Sequence, residues 1–243
     1  MKKILITGAT SELGLRLTKH LLNNNFRLTL ISRETKKFNN IIKNNKNKSI
    51  NFYKIDFNKI ESIEDKIKNI FKKTKFDGLI HCAGKHTYKP LRTTTKNEIL
   101  SSFNVNIISP IILTKEFIKK DNCNDNASII FISSSAANKG NAMTSIYSSS
   151  KISQLGFIKS LAAEISAIRK IRVNAILPSL IKSKTTNMII STMNEKETYN
   201  LKKEHLLGFG SYNDVVNMVD YLLSNKSRWI TGSCFNIDGG YSI

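Results

Sequence analysis

The chain has 243 residues, with 38 Lys and Arg against 18 Asp and Glu, so its formal net charge is +20, and 40% of its residues are hydrophobic. That length and apolar share allow a sizeable core and exclude wholesale disorder, while 11 Gly and 3 Pro exclude collagen-like or linker-dominated chains. Such a charge raises nucleic acid as a partner, but Lys outnumbers Arg 31 to 7, whereas phosphate- and base-reading surfaces favour the planar Arg fork.

Taken in order, short apolar runs alternate with helical patterns. Lys3–Thr7 reads as a strand, and Thr7-Gly8-Ala9-Thr10-Ser11-Glu12-Leu13-Gly14 leads into a helix over Glu12–Asn24. Gly8 permits a sharp turn, Gly14 permits close packing of helix on sheet, and the helix start offers free N–H groups to a pyrophosphate. Glu12 stands where a second glycine is usual in such a loop, and its carboxylate is expected to face solvent. The next strand, Arg27–Ser32, ends in Ser32 rather than an acid, with Arg33, Lys36 and Lys37 following. A guanidinium there suits a 2′-phosphate, so NADP(H) is favoured over NAD(H).

Ser49–Lys54 is a third strand and leads to Asp56 and Phe57, followed by a helix over Ile60–Lys73. Gly78–Cys82 is a fourth strand, Lys96–Lys119 a long helix, and Ala127–Ser133 a fifth strand. A helix over Tyr147–Arg169 precedes strand Ile171–Leu177, and the segment from Trp229 to Gly240 reads as a last strand and turn. The runs ILIT, LTLIS, LIHC and SIIFIS are nearly continuously apolar, as in strands buried on both faces. This regular alternation without a linker predicts one α/β domain over residues 1–243, a doubly wound parallel sheet of about seven strands. Residues 183–207 break the alternation at the sheet's C-terminal edge and are expected to form a substrate lid.

Tyr147 and Lys151 stand four residues apart, on one face of a helix, thirteen residues beyond Ser134. A cation beside a phenol lowers its pKa toward the working pH, which makes Tyr147 a candidate proton donor and acceptor for a carbonyl oxygen.

TGATSELG, Asp56, HCAG at 81–84, Asn106 in FNVNIISP, Ser134, YSSSK, NAILPS at 174–179 and ITG…DGG at 230–240 come in one order. In that order the chain resembles the short-chain dehydrogenase/reductase superfamily over essentially its full length. The resemblance implies a single Rossmann-type domain and a tetrad of Asn106, Ser134, Tyr147 and Lys151. Tyr147 would be the general acid/base, and Lys151 would lower its pKa and bind the nicotinamide ribose. Ser134 would polarise the substrate carbonyl, and Asn106 would hold a helix kink and a relay water. It also implies a cofactor site of Gly8, Thr10, Ser11, Glu12, Leu13, Gly14, Ser32, Arg33, Asp56, Phe57, Cys82, Ala83, Gly84, Tyr147, Lys151, Pro178, Ser179, Ile181 and Ser183. His81-Cys82 replaces an Asn pair, Ser179 replaces a Gly after Pro178, and Ser183 stands where Thr is usual.

Within that superfamily the chain resembles the 3-oxoacyl-carrier-protein reductases, which implies an acyl-thioester substrate on an acidic carrier. Arg169, Lys170 and Arg172 match that branch's docking region in part, although Asp121 and Asp125 stand where it would carry a second basic residue. A keto-sugar or other small metabolite is the alternative substrate, and a non-catalytic NADP(H) sensor the alternative role. The resemblance further implies a homotetramer or dimer. Three widely spaced cysteines, no signal-peptide core and no long apolar run point to a cytoplasmic protein without a membrane segment. The Lys36–Lys75 stretch carries no aromatic interleaving, heptad or zinc-ligand spacing, so neither nucleic acid nor a metal is expected.

Overall fold

The structure, a computed structural model, describes residues 1–34, 50–72 and 74–243. Lys36 and Lys37, expected beside the cofactor phosphate, lie outside the described residues, as do Ser49 and Lys73, the expected ends of a strand and a helix. The strands are β1 (Lys3–Thr7), β2 (Arg27–Ser32), β3 (Ile50–Lys54), β4 (Phe76–His81), β5 (Cys123–Ile132), β6 (Arg172–Pro178) and β7 (Cys234–Ile237). They form one seven-stranded sheet in the order β3-β2-β1-β4-β5-β6-β7, and every pairing is parallel. The order reverses between β1 and β4, the switch point at which a doubly wound sheet opens a crevice at its strands' C-terminal ends.

The helices are α1 (Glu12–Asn23), α2 (Ile63–Phe71), α3 (Lys96–Phe103), α4 (Ser109–Phe117), α5 (Ser145–Arg169), α6 (Lys184–Ser191), α7 (Glu195–Glu204) and α8 (Tyr212–Leu223). Because crossovers lay helices on both faces, the central strands are buried on both, which is why their sequences run apolar rather than alternating. One core layer packs Phe71, Phe117, Phe131 and Ile158 from α2, α4, β5 and α5. The opposite layer packs Leu17, Leu21, Val215 and Val219 from α1 and α8 against Ile4 and Ile130. Among the described residues no helix is long and apolar enough to cross a membrane, and none group as a metal site.

Strands β1 and β2 match the sequence reading residue for residue. Strand β5 starts earlier, at Cys123, because the polar stretch Asn124–Asn126 bends at Asn126 (φ 65°) and the register with β4 slips between Phe76 and Gly78. The long helix expected over Lys96–Lys119 is interrupted by one π turn at Asn104–Ile108. Helix α8 went unread, although Ser211 and Asp214 form its capping box and Val215, Val216, Val219, Leu222 and Leu223 line its buried face at helical spacing.

Candidate active site

The tips of β1, β2 and β4 form a cleft of about 260 Å³ lined by Gly8, Thr10, Ser11, Ser32, Arg33, Asp56, Phe57, Cys82, Ala83 and Gly84, among others. Ten residues expected at a cofactor are thus together. Gly8 has φ +65°, and a Cβ there would lie 2.6 Å from Ala83 Cα; a Cβ on Gly14 would lie 2.3 Å from the Gly8 carbonyl oxygen. Only hydrogen fits at either position, so loop, β4 tip and helix close up around an open start of α1. Ser11 caps that helix, accepting from Gly14 N at 3.0 Å. Thr7 Oγ1 accepts from the backbone N–H groups of Cys82 and Ala83 at 3.2 and 3.1 Å, fixing the β4 tip.

Thr10 and Ser32 join their hydroxyls across the cleft floor, so Ser32 is committed to the loop. Arg33 is exposed on the rim, and Glu34, which the sequence reading passed over, lines the same rim beside it. Glu12 lines neither this cleft nor the next. Its carboxylate, exposed as expected, accepts the Tyr212 hydroxyl at 2.6 Å, tying the loop to α8. Burial, then that bond, pushes the Tyr212 phenol up to about 12. Leu13, Gly14 and Pro178 also line neither space: Leu13 packs on the α1–α8 core layer, Gly14 is buried, and Pro178 pairs with Ile237 in the sheet.

Beyond Gly84 a second chamber of about 500 Å³ opens under α6 and α7, where a lid was expected. Its walls include Ser134, Tyr147, Ser179, Ile181 and Ser183, together with Met193 and Leu201 from the segment 183–207. Most hydroxyls there are turned into the protein. Ser179 pairs with His205 at 2.9 Å; because His205 Nδ1 faces the Leu201 carbonyl at 2.8 Å and must donate to it, Nε2 accepts the Ser179 hydroxyl. Thr144 donates to the Asn141 carbonyl and Tyr241 to the Asn141 side-chain oxygen, both at 2.7 Å. His86 and Tyr88 also line the chamber. Sequence reasoning missed both, and their one signal was position, just past the tip of β4.

Ser134, Tyr147, Lys151 and Asn106 converge between the two spaces. Asn106, fully buried in the π turn, is held by the backbone of Lys85: Lys85 N donates to its Oδ1 at 2.7 Å, and its Nδ2 donates to the Lys85 carbonyl at 2.9 Å. Nδ2 also donates to Ser150 Oγ at 2.8 Å, and Gln154 donates to the Asn106 carbonyl at 2.6 Å. The expected kink is therefore present, and its cause is tertiary: two elements grip the turn that a regular helix would not expose.

Lys151 is buried and donates to the Ile132 carbonyl at 2.8 Å, with its Nζ 5.8 Å from the centre of the Tyr147 ring. Tyr147 departs from expectation. Burial pushes its phenol above the ordinary value, the bond with Ser134 pulls the other way, and Lys151 is not among the causes. At neutral pH the phenol keeps its proton. Cys82 is likewise pushed up to about 11 by burial, which leaves it an unreactive thiol. His81, buried with its ring centre 4.3 Å from that of Phe131, is neutral, its pKa lowered to about 3 by burial.

Burial also lowers Lys151, to about 8. Between that value and the ordinary lysine value the unfolded chain binds more protons here than the folded one, so this residue's contribution to stability rises with pH across that window. Thermal unfolding of the wild type and Lys151→Met at about pH 8 and about pH 10 should show the wild type gaining on the variant. A gap that stays constant contradicts the lowered value.

One expectation is corrected outright. Arg169 does not stand at the site's mouth: it donates to Asp125 at 2.8 Å and to the Ile118 and Cys123 carbonyls at 2.7 and 2.8 Å. Arg172 is buried and donates to Ser227 Oγ at 2.8 Å. Both sit where β6 begins, while the site lies past its other end at Ser179, a strand's length away. They pin the sheet's N-terminal edge.

The sequence profile described as short chain dehydrogenase matches residues 2–194. The chain belongs to the short-chain dehydrogenase family. It is an oxidoreductase of carbonyl and hydroxyl groups, as the tetrad's geometry suits. The family's "3-oxoacyl-[acyl-carrier-protein] reductase FabG" of Rickettsia felis is 32% identical over 98% of this chain and 96% of that protein. "Carbonyl reductase family member 4" of Xenopus laevis is 34% identical over 75% of each. Among solved structures, 4-hydroxyisoleucine dehydrogenase complexed with NADH superposes with a TM-score of 0.89 at 26% identity, covering 100% of this chain and 99% of that one. ElxO with NADP bound superposes with a TM-score of 0.85 at 28% identity over 99% of each chain.

Proposed function

We propose that the protein is an NADP(H)-dependent reductase of a ketone, with a 3-oxoacyl thioester as substrate. The observation that carries this is the meeting of Tyr147, Ser134 and Lys151 between the cleft at the strand tips and a largely apolar chamber. The cradle fits a dinucleotide, since Gly8 and Gly14 let the loop, the β4 tip and α1 close up and leave the start of α1 open beside the cleft. Gly8, Thr10, Ser11 and the first-turn backbone of Glu12 and Leu13 would face its pyrophosphate. Arg33 would take the 2′-phosphate, Asp56 and Phe57 the adenine, Cys82 to Gly84 the riboses, and Pro178, Ser179, Ile181 and Ser183 the nicotinamide. The bound cofactor supplies or accepts hydride. Ser134 holds and polarises the substrate oxygen, and Tyr147, which burial keeps protonated, donates its proton to that oxygen. Lys151 binds the nicotinamide ribose, and Asn106 keeps α4 and α5 in register around them.

The thioester reading is supported by the FabG-named relatives along nearly the whole chain, and an acidic carrier would deliver it without the help of Arg169 or Arg172. Exposed Ile152, Ile168 and Trp229 support association of copies of the chain. A second cofactor reading, NAD(H), is favoured by Glu34, whose carboxylate on the cleft rim suits a ribose hydroxyl. Titrating NADPH and NADH into the wild type and Arg33→Ala decides between them. Loss of the guanidinium is expected to cost NADPH about 1–3 kcal/mol and NADH little. Equal weakening of both, or none, rejects Arg33 as the 2′-phosphate partner. NADPH oxidation with a 3-oxoacyl thioester tests the reductase itself.

A further inference from the structure

The chamber is uncharged in a chain of net charge +20: among the described residues that line it, none is Lys, Arg, Asp or Glu. With Ser179, Thr144 and Tyr241 bonded to the protein, what faces the space is chiefly apolar, Ala136, Leu180, Met193 and Leu201. A sugar or a carboxylate entering there loses its hydration with few partners to replace it. An acyl chain has no such loss.

His86 is one of the polar side chains of that wall that no described residue engages in a hydrogen bond. It is exposed on the chamber wall, and its ring centre lies 4.5 Å from that of Tyr147, tilted by 59°. Tyr88 stacks on its outer side at 6.1 Å. Among the described residues neither imidazole nitrogen has a hydrogen-bond partner, although the ring lines the chamber beside the proton donor. A substrate filling the chamber covers this ring and cuts it off from water, so its N–H then needs a partner on the substrate.

We propose that His86 is a specificity-determining residue that donates a hydrogen bond to a second substrate oxygen, so that the chamber selects an uncharged 1,3-dicarbonyl unit with an apolar chain. The proposal rests on Tyr147 and Ser134 holding the ketone oxygen. The thioester oxygen of a 3-oxoacyl group, two carbons along, then falls on the neighbouring ring. Desolvation by the atoms packed around the ring, then the Lys151 charge, holds His86 below its ordinary pKa, so the ring is neutral at pH 7 and donates from one nitrogen.

The test measures NADPH oxidation with three probes: the N-acetylcysteamine thioester of 3-oxobutyrate, an aliphatic monoketone of similar length and a keto-sugar. The wild type is expected to reduce the thioester best, the monoketone less well and the keto-sugar least. His86→Phe is expected to lower the thioester-to-monoketone ratio of kcat/KM by about tenfold, the scale of one lost hydrogen bond, chiefly through KM. His86→Gln, which keeps an N–H, is expected to restore most of it. NADPH affinity and unfolding temperature report whether each variant is folded; if His86→Phe is not, His86→Ala reads the same ratio. An unmoved ratio, or a keto-sugar preferred to the thioester, overturns the proposal. Turnover of the monoketone without the thioester overturns it and leaves the reductase reading standing, whereas no turnover of any probe overturns both.

Discussion

Tyr147→Phe is expected to lower kcat by about 10²–10⁴-fold, the usual contribution of a positioned general acid, while leaving NADPH affinity close to that of the wild type. The variant removes one oxygen and keeps the ring, so its packing against His86 and its place over Lys151 persist. Burial holds the phenol's pKa up and the Ser134 bond limits the rise, so at pH 7 the group is a donor ready to protonate a ketone. In the oxidation direction the same burial predicts that turnover climbs with pH, because the phenol must first lose its proton. Stopped-flow reduction and a fluorescence titration with NADPH separate the two quantities. A Phe variant that turns over at the wild-type rate would remove Tyr147 from the chemistry. A variant that loses cofactor binding as well would give it a structural role instead.

What the sequence made legible follows how local each cause is. Strands β1 and β2 were readable because sheet burial on both faces imposes uninterrupted apolar runs. Tyr147 and Lys151 were readable because a helix puts residues four apart on one face. The loop of Gly8 and Gly14 was readable because close backbone approach admits only hydrogen. The π turn at Asn104–Ile108 was legible only through the family resemblance, which put a kink at Asn106; periodicity does not show it, since Lys85, 21 residues away, and Gln154 on α5 grip it. The place of Arg169 was hidden for a related reason: its neighbours in sequence do not reveal which edge of the sheet it occupies or that it reaches Asp125 and the Ile118 carbonyl. His86 and Tyr88 sit in a loop with no periodicity, so only the fold could bring them to Tyr147. The +20 charge proved least informative, because no Lys or Arg is among the described residues that line the chamber.

Gly14→Val is expected to be the most damaging change to the nucleotide cleft. A Cβ at this position would stand 2.3 Å from the Gly8 carbonyl oxygen and 2.8 Å from Ala9 Cα. Both are backbone atoms, so no rotamer change relieves the clash; α1 must lift from the sheet or the loop must shift. Overpacking of this kind costs about 1–3 kcal/mol, which for a chain of this size lowers the unfolding temperature by roughly 2–4 °C per kcal/mol. Because the displaced atoms form the cleft floor, cofactor affinity should fall along with stability. Gly156→Ala supplies the opposite sign. Gly156 lies inside α5, and nothing stands within 4 Å of the added Cβ, so the gain in helix propensity should stabilise the fold by about 0.5–1 kcal/mol. Thermal unfolding and NADPH titration of the two variants measure both effects. If Gly14→Val unfolds at the wild-type temperature and binds NADPH as tightly, α1 is not packed on the loop as the structure places it.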